Sequence, residues 1–221
     1  MWAVLTRSAA TAAQRNVVFI LVDDQRFDAL SLLGHPFLET PNLDQLARDG
    51  LLFENAFVTT SLCSPSRASI LTGLYAHRHA VLDNSTPLPA ELPTFPKEMQ
   101  KAGYRTAFVG NWHMGGQRDA PREGFDRWVF FPGQGRYEDQ RFNVDGQDVE
   151  EAGYITDVIT RYAVAVIEAA DEQPFLLYLS HKAAHSPFLA APRHRGSYAS
   201  ETYPHPALME DNDENYEGKP A

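Results

Sequence analysis

The fold is decided by residues 16–24, which read NVVFILVDD. A short, continuously apolar run that is rich in β-branched residues is typical of a strand buried on both faces of a parallel sheet. The run ends abruptly at two carboxylates, Asp23 and Asp24. We therefore predict that the chain enters the core of an α/β sheet at Asn16 and leaves it at a polar edge.

Further strands and helices are predicted to alternate outward from this run. Strands are predicted at 51–58, 104–109 and 175–179, with a hairpin at Asp145-Gly146 between 141–144 and 147–149. Helices are predicted from Pro41 to Arg48, from Cys63 to a cap at Gly73, from Phe95 to Ala102, and after Gly153. This alternation predicts an α/β fold with a predominantly parallel sheet and helices on both faces.

Composition and charge limit the classes of function. The 221 residues carry a formal net charge of -10 and no basic run, which argues against binding to nucleic acids or anionic membranes. We find no apolar run of membrane-spanning length, and residues 1–14 lack the continuous apolar core of a signal peptide. The single cysteine excludes an intramolecular disulfide, and the acidic run at 210–217 is typical of a solvated segment.

Polar side chains follow three of the predicted strands at the points where those strands end. After the first strand come Asp23 and Asp24, and the later strands are followed by Asn111, His113, Lys182 and His185. Ligands bind outside the carboxyl ends of the strands in open α/β sheets. We therefore expect these groups to converge on one edge of the sheet.

The chemistry of these residues leaves two interpretations open. Adjacent carboxylates such as Asp23 and Asp24 suit a hard cation, Ca²⁺ or Mg²⁺, but they also commonly cap turns. Arg67 lies one helical turn beyond Cys63, where it either holds an anion beside residue 63 or forms a surface ion pair. Taken singly, the histidines are packed or surface residues more often than catalytic ones.

The segment at 63–67, CSPSR, resembles the type I sulfatase motif C-x-P-x-R, which marks the cysteine for oxidation to formylglycine. Three further motifs agree with that family in order and spacing: the Asp23-Asp24 pair, GNWHMG at 110–115 and HSPF at 185–188. The last two resemble the family's G-K-W-H-x-G and H-x-P-F. Residues 16–221 are interpreted as an apparently truncated sulfatase catalytic domain of alkaline-phosphatase-like fold, and residues 1–15 are left unassigned.

The resemblance implies a sulfuric ester hydrolase. Cys63, converted to formylglycine by a formylglycine-generating enzyme, would be the nucleophile. Arg67 would support its hydrated oxygens, His113 would assist its turnover, and His185 would contact sulfate or protonate the leaving alcohol. Residues 23–30 and 180–185 look most like bacterial sulfatases acting on sulfated sugars, including the N-acetylglucosamine-6-sulfatase-like branch. Such enzymes are frequently exported to the periplasm or secreted.

The resemblance also implies a calcium cofactor and contacts to the substrate. Asp23, Asp24 and the modified residue 63 would bind Ca²⁺, with Gln25 and Arg26 close enough to touch the site. Lys182 and Asn111 would contact sulfate or the rest of the substrate.

Two departures from the family pattern limit what the resemblance implies. Asn111 stands where the family has lysine, and the loss of one such preorganised charge commonly slows turnover by on the order of 10²–10³. Family members are also roughly twice as long, and Asp211, Asn212 and Asp213 only superficially resemble the missing calcium ligands. A degenerate sulfatase-like domain without turnover, or a formylglycine-dependent phosphonate or phosphodiester hydrolase, are therefore the alternative interpretations.

Overall fold

The computed structural model describes residues 14–115 and 120–203, which form two compact units. The first unit comprises 14–26, 53–115 and 120–189, and the second comprises 27–52 and 190–203. The interpretations of residues 1–13 and of the acidic run, including Asp211, Asn212 and Asp213, lie outside the described residues.

The first unit is built on a six-stranded sheet. Its strands are β1 (Val17–Val22), β2 (Arg105–Asn111), β3 (Arg127–Phe131), β4 (Glu138–Val144), β5 (Gln147–Tyr154) and β6 (Phe175–His181). They lie in the order β1-β6-β2-β3-β4-β5, with β1, β6, β2 and β3 mutually parallel, β4 antiparallel to β3, and β5 antiparallel to β4. This arrangement confirms the predicted α/β class with a predominantly parallel sheet.

Helices occur in both units. The helices of the described residues are α1 (Pro41–Asp49) in the second unit, and α2 (Cys63–Thr72), α3 (Ala76–His79), α4 (Phe95–Lys101) and α5 (Ile155–Glu168) in the first. Short 3-10 helices at Ser31–Leu33 and Pro192–His194 belong to the second unit. The ends of α1 and α2 follow the predicted signals, because Pro41 begins the first and Gly73 caps the second in a left-handed conformation.

Side chains alternate between two cores on opposite faces of the sheet. On one face, Val109, Val129 and Leu177 pack with Ile155 and Ile159 of α5. Their neighbours along the strands point the other way, and that second core contains Phe108, Trp128 and Tyr178 with Ala68 and Leu71 of α2. Because strand side chains alternate with a period of two, each central strand contributes to both cores. The predicted helices on both faces are thus confirmed.

Two predictions about strands are wrong. Val18 and Ile20 of β1 are 45% and 55% exposed, so β1 is not buried on both faces. It is an edge strand whose only partner in the described part of the chain is β6, and its outward face has no covering layer there. The strand predicted at 51–58 is an irregular segment instead, because no neighbouring strand pairs with its backbone groups in the described residues.

The hairpin predicted at Asp145-Gly146 is present. It joins β4 to β5, and both turn residues have positive φ, 52° and 90°. Two successive positive φ values are required by the tight turn that matches the twist of the flanking strands. No helix within residues 14–115 and 120–203 combines the length and apolar character needed to cross a bilayer.

Candidate active site

The carboxyl ends of β1, β6 and β2 lie side by side, because these parallel strands are neighbours in the sheet. The predicted convergence of their polar residues is therefore confirmed. Two backbone hydrogen bonds join the segment after β1 to the loop after β6. The Asp23 amide donates to the Ala183 carbonyl (3.2 Å), and the Ala184 amide donates to the Asp23 carbonyl (2.7 Å). The loop after β6 is thus held against the backbone of Asp23.

Arg67 is buried at the centre of this edge and donates three hydrogen bonds there. Its Nη1 donates to the Asn111 carbonyl and to Ser180 Oγ, both at 2.7 Å, and its Nη2 donates to Asp23 Oδ2 at 3.2 Å. Ser180 Oγ donates in turn to the Asn111 carbonyl at 2.8 Å. One guanidinium on α2 therefore fixes the ends of β1, β2 and β6 relative to one another.

Arg67→Met is expected to lower the free energy of unfolding by about 3–5 kcal/mol, the usual cost of removing one partner of a buried ion pair. The change leaves the buried Asp23 carboxylate without its cation. Urea unfolding measures the loss. The matched control is Arg141→Met, whose pair with Asp148 is 54% and 57% exposed, so that it changes stability by less than about 1 kcal/mol. Equal losses in the two variants would show that the Arg67 network is not structural.

Cys63 is the first residue of α2 and faces the carboxylates. Its Sγ lies 4.0 Å from Asp23 Oδ1, and the adjacent Ser64 amide donates to Asn84 Oδ1 at 3.0 Å. Burial raises the pKa of the Cys63 thiol above its ordinary value, and the Asp23 charge raises it further, while Arg67 opposes this change. The unmodified side chain is therefore held as the neutral thiol, which is the weakly nucleophilic form.

An open cavity of about 570 Å³ lies in front of these groups. Its lining includes five of the residues predicted at or beside the site: Asp23, Asp24, Gln25, Cys63 and Arg67. Asp24 has a left-handed backbone with a φ of 54°, a conformation that aspartate adopts more readily than most residues. The cavity gives a small anionic ligand access to residue 63 with Arg67 behind it.

Asn111 ends β2 and His113 follows it, in a different environment. His113 is half-buried with a φ of 52°, and its carbonyl accepts a hydrogen bond from the Ser64 hydroxyl. Burial lowers the pKa of the His113 imidazole, and the charge of Arg67 lowers it further. Asn111 is fully buried, with Nδ2 donating to Gln134 Oε1 at 3.4 Å, while its Oδ1 has no hydrogen-bond partner among the described residues.

Lys182 and His185 lie in the loop after β6. Lys182 is buried, donates from Nζ to the Ser186 carbonyl at 3.1 Å, and lies 4.8 Å from the centre of the Tyr137 ring. Burial lowers the pKa of the Lys182 ammonium group, although Asp23 and Asp24 oppose this change. The His185 Nε2 is 3.7 Å from Asp24 Oδ2. Lys182 is thus held by internal contacts, whereas His185 faces the carboxylate pair.

The two carboxylates, Asp23 and Asp24, are the residues predicted to bind calcium. Carboxylate oxygens have the right chemistry for Ca²⁺, but the ion takes six to eight oxygens, and Asp23 Oδ2 is already paired with Arg67. Within the described residues, no group of three or more His, Cys, Asp or Glu side chains is placed to hold a metal ion. The described residues alone therefore do not fit a complete calcium site.

Three residues at the site were not predicted from the sequence: Ser64, Gln134 and Ser180. Ser180 carries a recognisable signal, because it is a polar residue at the end of the apolar strand β6. Gln134 lies between two glycines in the loop after β3, far in sequence from the residues it contacts. No local pattern predicts such a long-range contact.

A protein-family model described as "Sulfatase" matches residues 15–218. Over 92% of this chain, the sequence is 38% identical to an N-acetylglucosamine-6-O-sulfatase of Bacteroides thetaiotaomicron. Over 85% of this chain, it is 34% identical to an ulvan-active sulfatase of Formosa agariphila. The chain also resembles a protein that was solved in complex with its substrate, D-glucosamine-2-N,6-O-disulfate. The match has a TM-score of 0.83 and 38% sequence identity, and it covers 89% of this chain and 40% of the solved chain.

The chain spans well under half the length of these relatives. It covers 36% of the Bacteroides enzyme and 39% of the Formosa enzyme. The similarity therefore extends along almost all of this chain but concerns only part of each relative.

Proposed function

Because this chain belongs to the sulfatase family, we propose that it is part of a hydrolase that cleaves sulfate esters of carbohydrates through a formylglycine made from Cys63. The observation that carries the proposal is the position of Cys63 within C-x-P-x-R. It begins α2, opens onto the cavity and lies 4.0 Å from Asp23, with Arg67 behind both. This arrangement supports an electrophilic sulfate group approaching residue 63 from the cavity.

Formylglycine supplies a nucleophile that regenerates itself. In its hydrated form, one hydroxyl of a geminal diol attacks the sulfate sulfur as the alcohol leaves, and the other hydroxyl releases sulfate by re-forming the aldehyde. Bound calcium would draw charge from the sulfate oxygens, and Asp23 and Asp24 would supply some of its ligands. The formylglycine and the calcium ion are both proposals for this chain.

The remaining residues act through charge and proton transfer in this proposal. Arg67 holds positive charge beside residue 63 and favours the anionic form of an attacking hydroxyl. His113, whose pKa is lowered by burial and by Arg67, is neutral near pH 7 and accepts a proton. His185 faces Asp24 and is suited to protonate the leaving alcohol. The slower turnover expected from Asn111 in place of lysine stays a prediction.

Mass spectrometry of the peptide containing residue 63 tests the modification. After co-expression of this chain with a formylglycine-generating enzyme, we expect the thiol to be replaced by an aldehyde, which removes sulfur from the peptide. Pro65→Ala breaks the C-x-P-x-R motif and should leave Cys63 unconverted in parallel cultures. An unmodified Cys63 in the original chain under conditions that convert a known sulfatase would contradict the proposal.

Substrate assays test the reaction itself. A full-length reading frame that contains residues 1–221 is the appropriate protein, since the relatives extend well beyond the matched region. We expect release of sulfate from 6-sulfated N-acetylglucosamine, and faster cleavage of sulfate esters than of phosphate diesters. Preferential cleavage of the phosphate diester would instead favour the phosphodiester hydrolase alternative.

A further inference from the structure

Gln134 lies between two residues of the candidate site. It belongs to the loop between β3 and β4, and its Nε2 is 3.2 Å from Nε2 and 3.4 Å from Nδ1 of the His113 imidazole. On its other side, Gln134 Oε1 accepts a hydrogen bond from Asn111 Nδ2 at 3.4 Å. A single amide therefore links Asn111, the last residue of β2, to His113, which follows it.

The backbone of this loop holds Gln134 in place. Gly133 and Gly135, which flank it, have φ values of 58° and 64°. A Cβ on Gly135 would lie 2.5 Å from the ring of Phe131, which is fully buried in the core. Only glycine fits where the chain passes so closely over that ring. The loop is thus anchored to the core beside the site, and its glutamine is presented from a constrained backbone.

Asn111 determines which end of the Gln134 amide faces His113. The Asn111 nitrogen can only donate, so the Gln134 atom that it meets is the carbonyl oxygen. The Gln134 nitrogen, also a donor only, is then turned toward the imidazole and requires a ring nitrogen without a proton. This contact is compatible with the neutral ring and unfavourable for the doubly protonated ring. The two distances differ by only 0.2 Å, so the contact requires an unprotonated ring nitrogen without selecting Nε2 over Nδ1.

We propose that Gln134 is a positioning residue for His113, which it holds as the neutral imidazole in one orientation. The buried side chain of Asn111 orients Gln134 in turn. The consequence for turnover rests on the proposed function, because His113 must be neutral to accept a proton there. The contact with the ring does not depend on that function.

Charged groups around His113 act in both directions. The positive charges of Arg67 and Lys182, together with His185, disfavour a protonated His113, whereas Asp23 favours it. The Gln134 amide is an uncharged donor that, like these positive charges, disfavours a protonated His113. Replacing this amide with a carboxylate would reverse its contribution, because an anion beside the ring stabilises the imidazolium.

The test is side-chain nitrogen NMR of His113 in the 221-residue chain, with its signals identified by their absence in His113→Gln. We expect the original chain to show one protonated and one unprotonated ring nitrogen near pH 7. Gln134→Leu removes the amide donor and should raise the pKa of His113 by less than Gln134→Glu does. Gln134→Glu should raise the pKa of His113 by about 1 unit or more, as a carboxylate at hydrogen-bonding distance does.

A matched control separates this contact from the general effect of charge. Gln147→Glu adds the same negative charge at the exposed start of β5 and should leave the His113 signals unchanged. Identical His113 signals in the original chain, Gln134→Leu and Gln134→Glu would overturn the proposal. These spectra require no turnover, so a chain that lacks sulfatase activity would still reveal whether Gln134 positions His113.

Discussion

Cys63→Ser in a full-length reading frame carrying this chain is expected to abolish repeated turnover of sulfate esters, lowering kcat by on the order of 10⁴ or more. The serine hydroxyl would occupy the start of α2 beside Asp23, where it can attack sulfur. It has no second hydroxyl from which to re-form an aldehyde and expel sulfate. The reaction should therefore stop with sulfate bound to Ser Oγ after a single release of alcohol.

Two measurements separate this mechanism from a general loss of activity. Mass spectrometry should find covalent sulfate on residue 63 of Cys63→Ser after exposure to substrate, and none on Cys63→Ala, which has no nucleophile. Circular dichroism should be unchanged in both variants, because the half-buried Cys63 side chain belongs to neither of the two cores. Continued turnover by Cys63→Ser within tenfold of the original rate would be incompatible with a formylglycine mechanism.

Local signals in the sequence predicted those parts of the fold that depend on near neighbours. The glycine at position 73 ends α2 because it adopts a left-handed conformation, and Asp145-Gly146 turns β4 into β5 for the same reason. In α5, Ile155, Val158 and Ile159 recur at helical spacing and are all fully buried. Conformational preference and periodicity are properties of short segments, so they can be recognised without knowing the tertiary structure.

Predictions that depended on distant neighbours were less successful. The apolar run of β1 indicates burial, yet burial requires a second layer, and the described residues cover only the side on which Phe19 and Leu21 pack. Residues 51–58 have strand-like composition, but within residues 14–115 and 120–203 no strand pairs with them. A composition pattern reports what a segment can bury, whereas the structure depends on which surfaces are available to it.

The candidate site shows the same division. Its motifs identified Asp23, Cys63 and Arg67, and adjacent parallel strands bring them together. The bonds that Arg67 makes to the ends of three strands depend on strand order, which no motif contains. The contact of Gln134 with His113 depends on the packing of a loop 21 residues away in sequence. The sequence thus predicted which side chains converge on this edge better than it predicted the residues that orient them.

Gly110 in the middle of this site allows two strands to approach unusually closely. It lies in β2 opposite Ser180 of β6, with a φ of 120°. A Cβ at this position would lie 1.9 Å from the Ser180 carbonyl oxygen and 2.8 Å from its carbon, distances that no side chain can occupy. Ser180 cannot easily retreat, because its Oγ accepts a hydrogen bond from Arg67 and donates one to the Asn111 carbonyl.

Gly110→Ala is therefore expected to lower the free energy of unfolding by more than about 5 kcal/mol, an exceptional loss for one methyl group. Such a loss consumes much of the stability of a typical domain, so we expect little folded protein in urea unfolding or circular dichroism. The control is Gly153→Ala in β5, where φ is also positive, at 103°, but a Cβ meets nothing within 4 Å. Its cost should be backbone strain alone, about 1–3 kcal/mol. Equal losses in the two variants would mean that the close approach of β2 and β6 at Ser180 does not limit which residue can stand at position 110. A much larger loss for Gly110→Ala would explain why glycine precedes Asn111 at the end of β2.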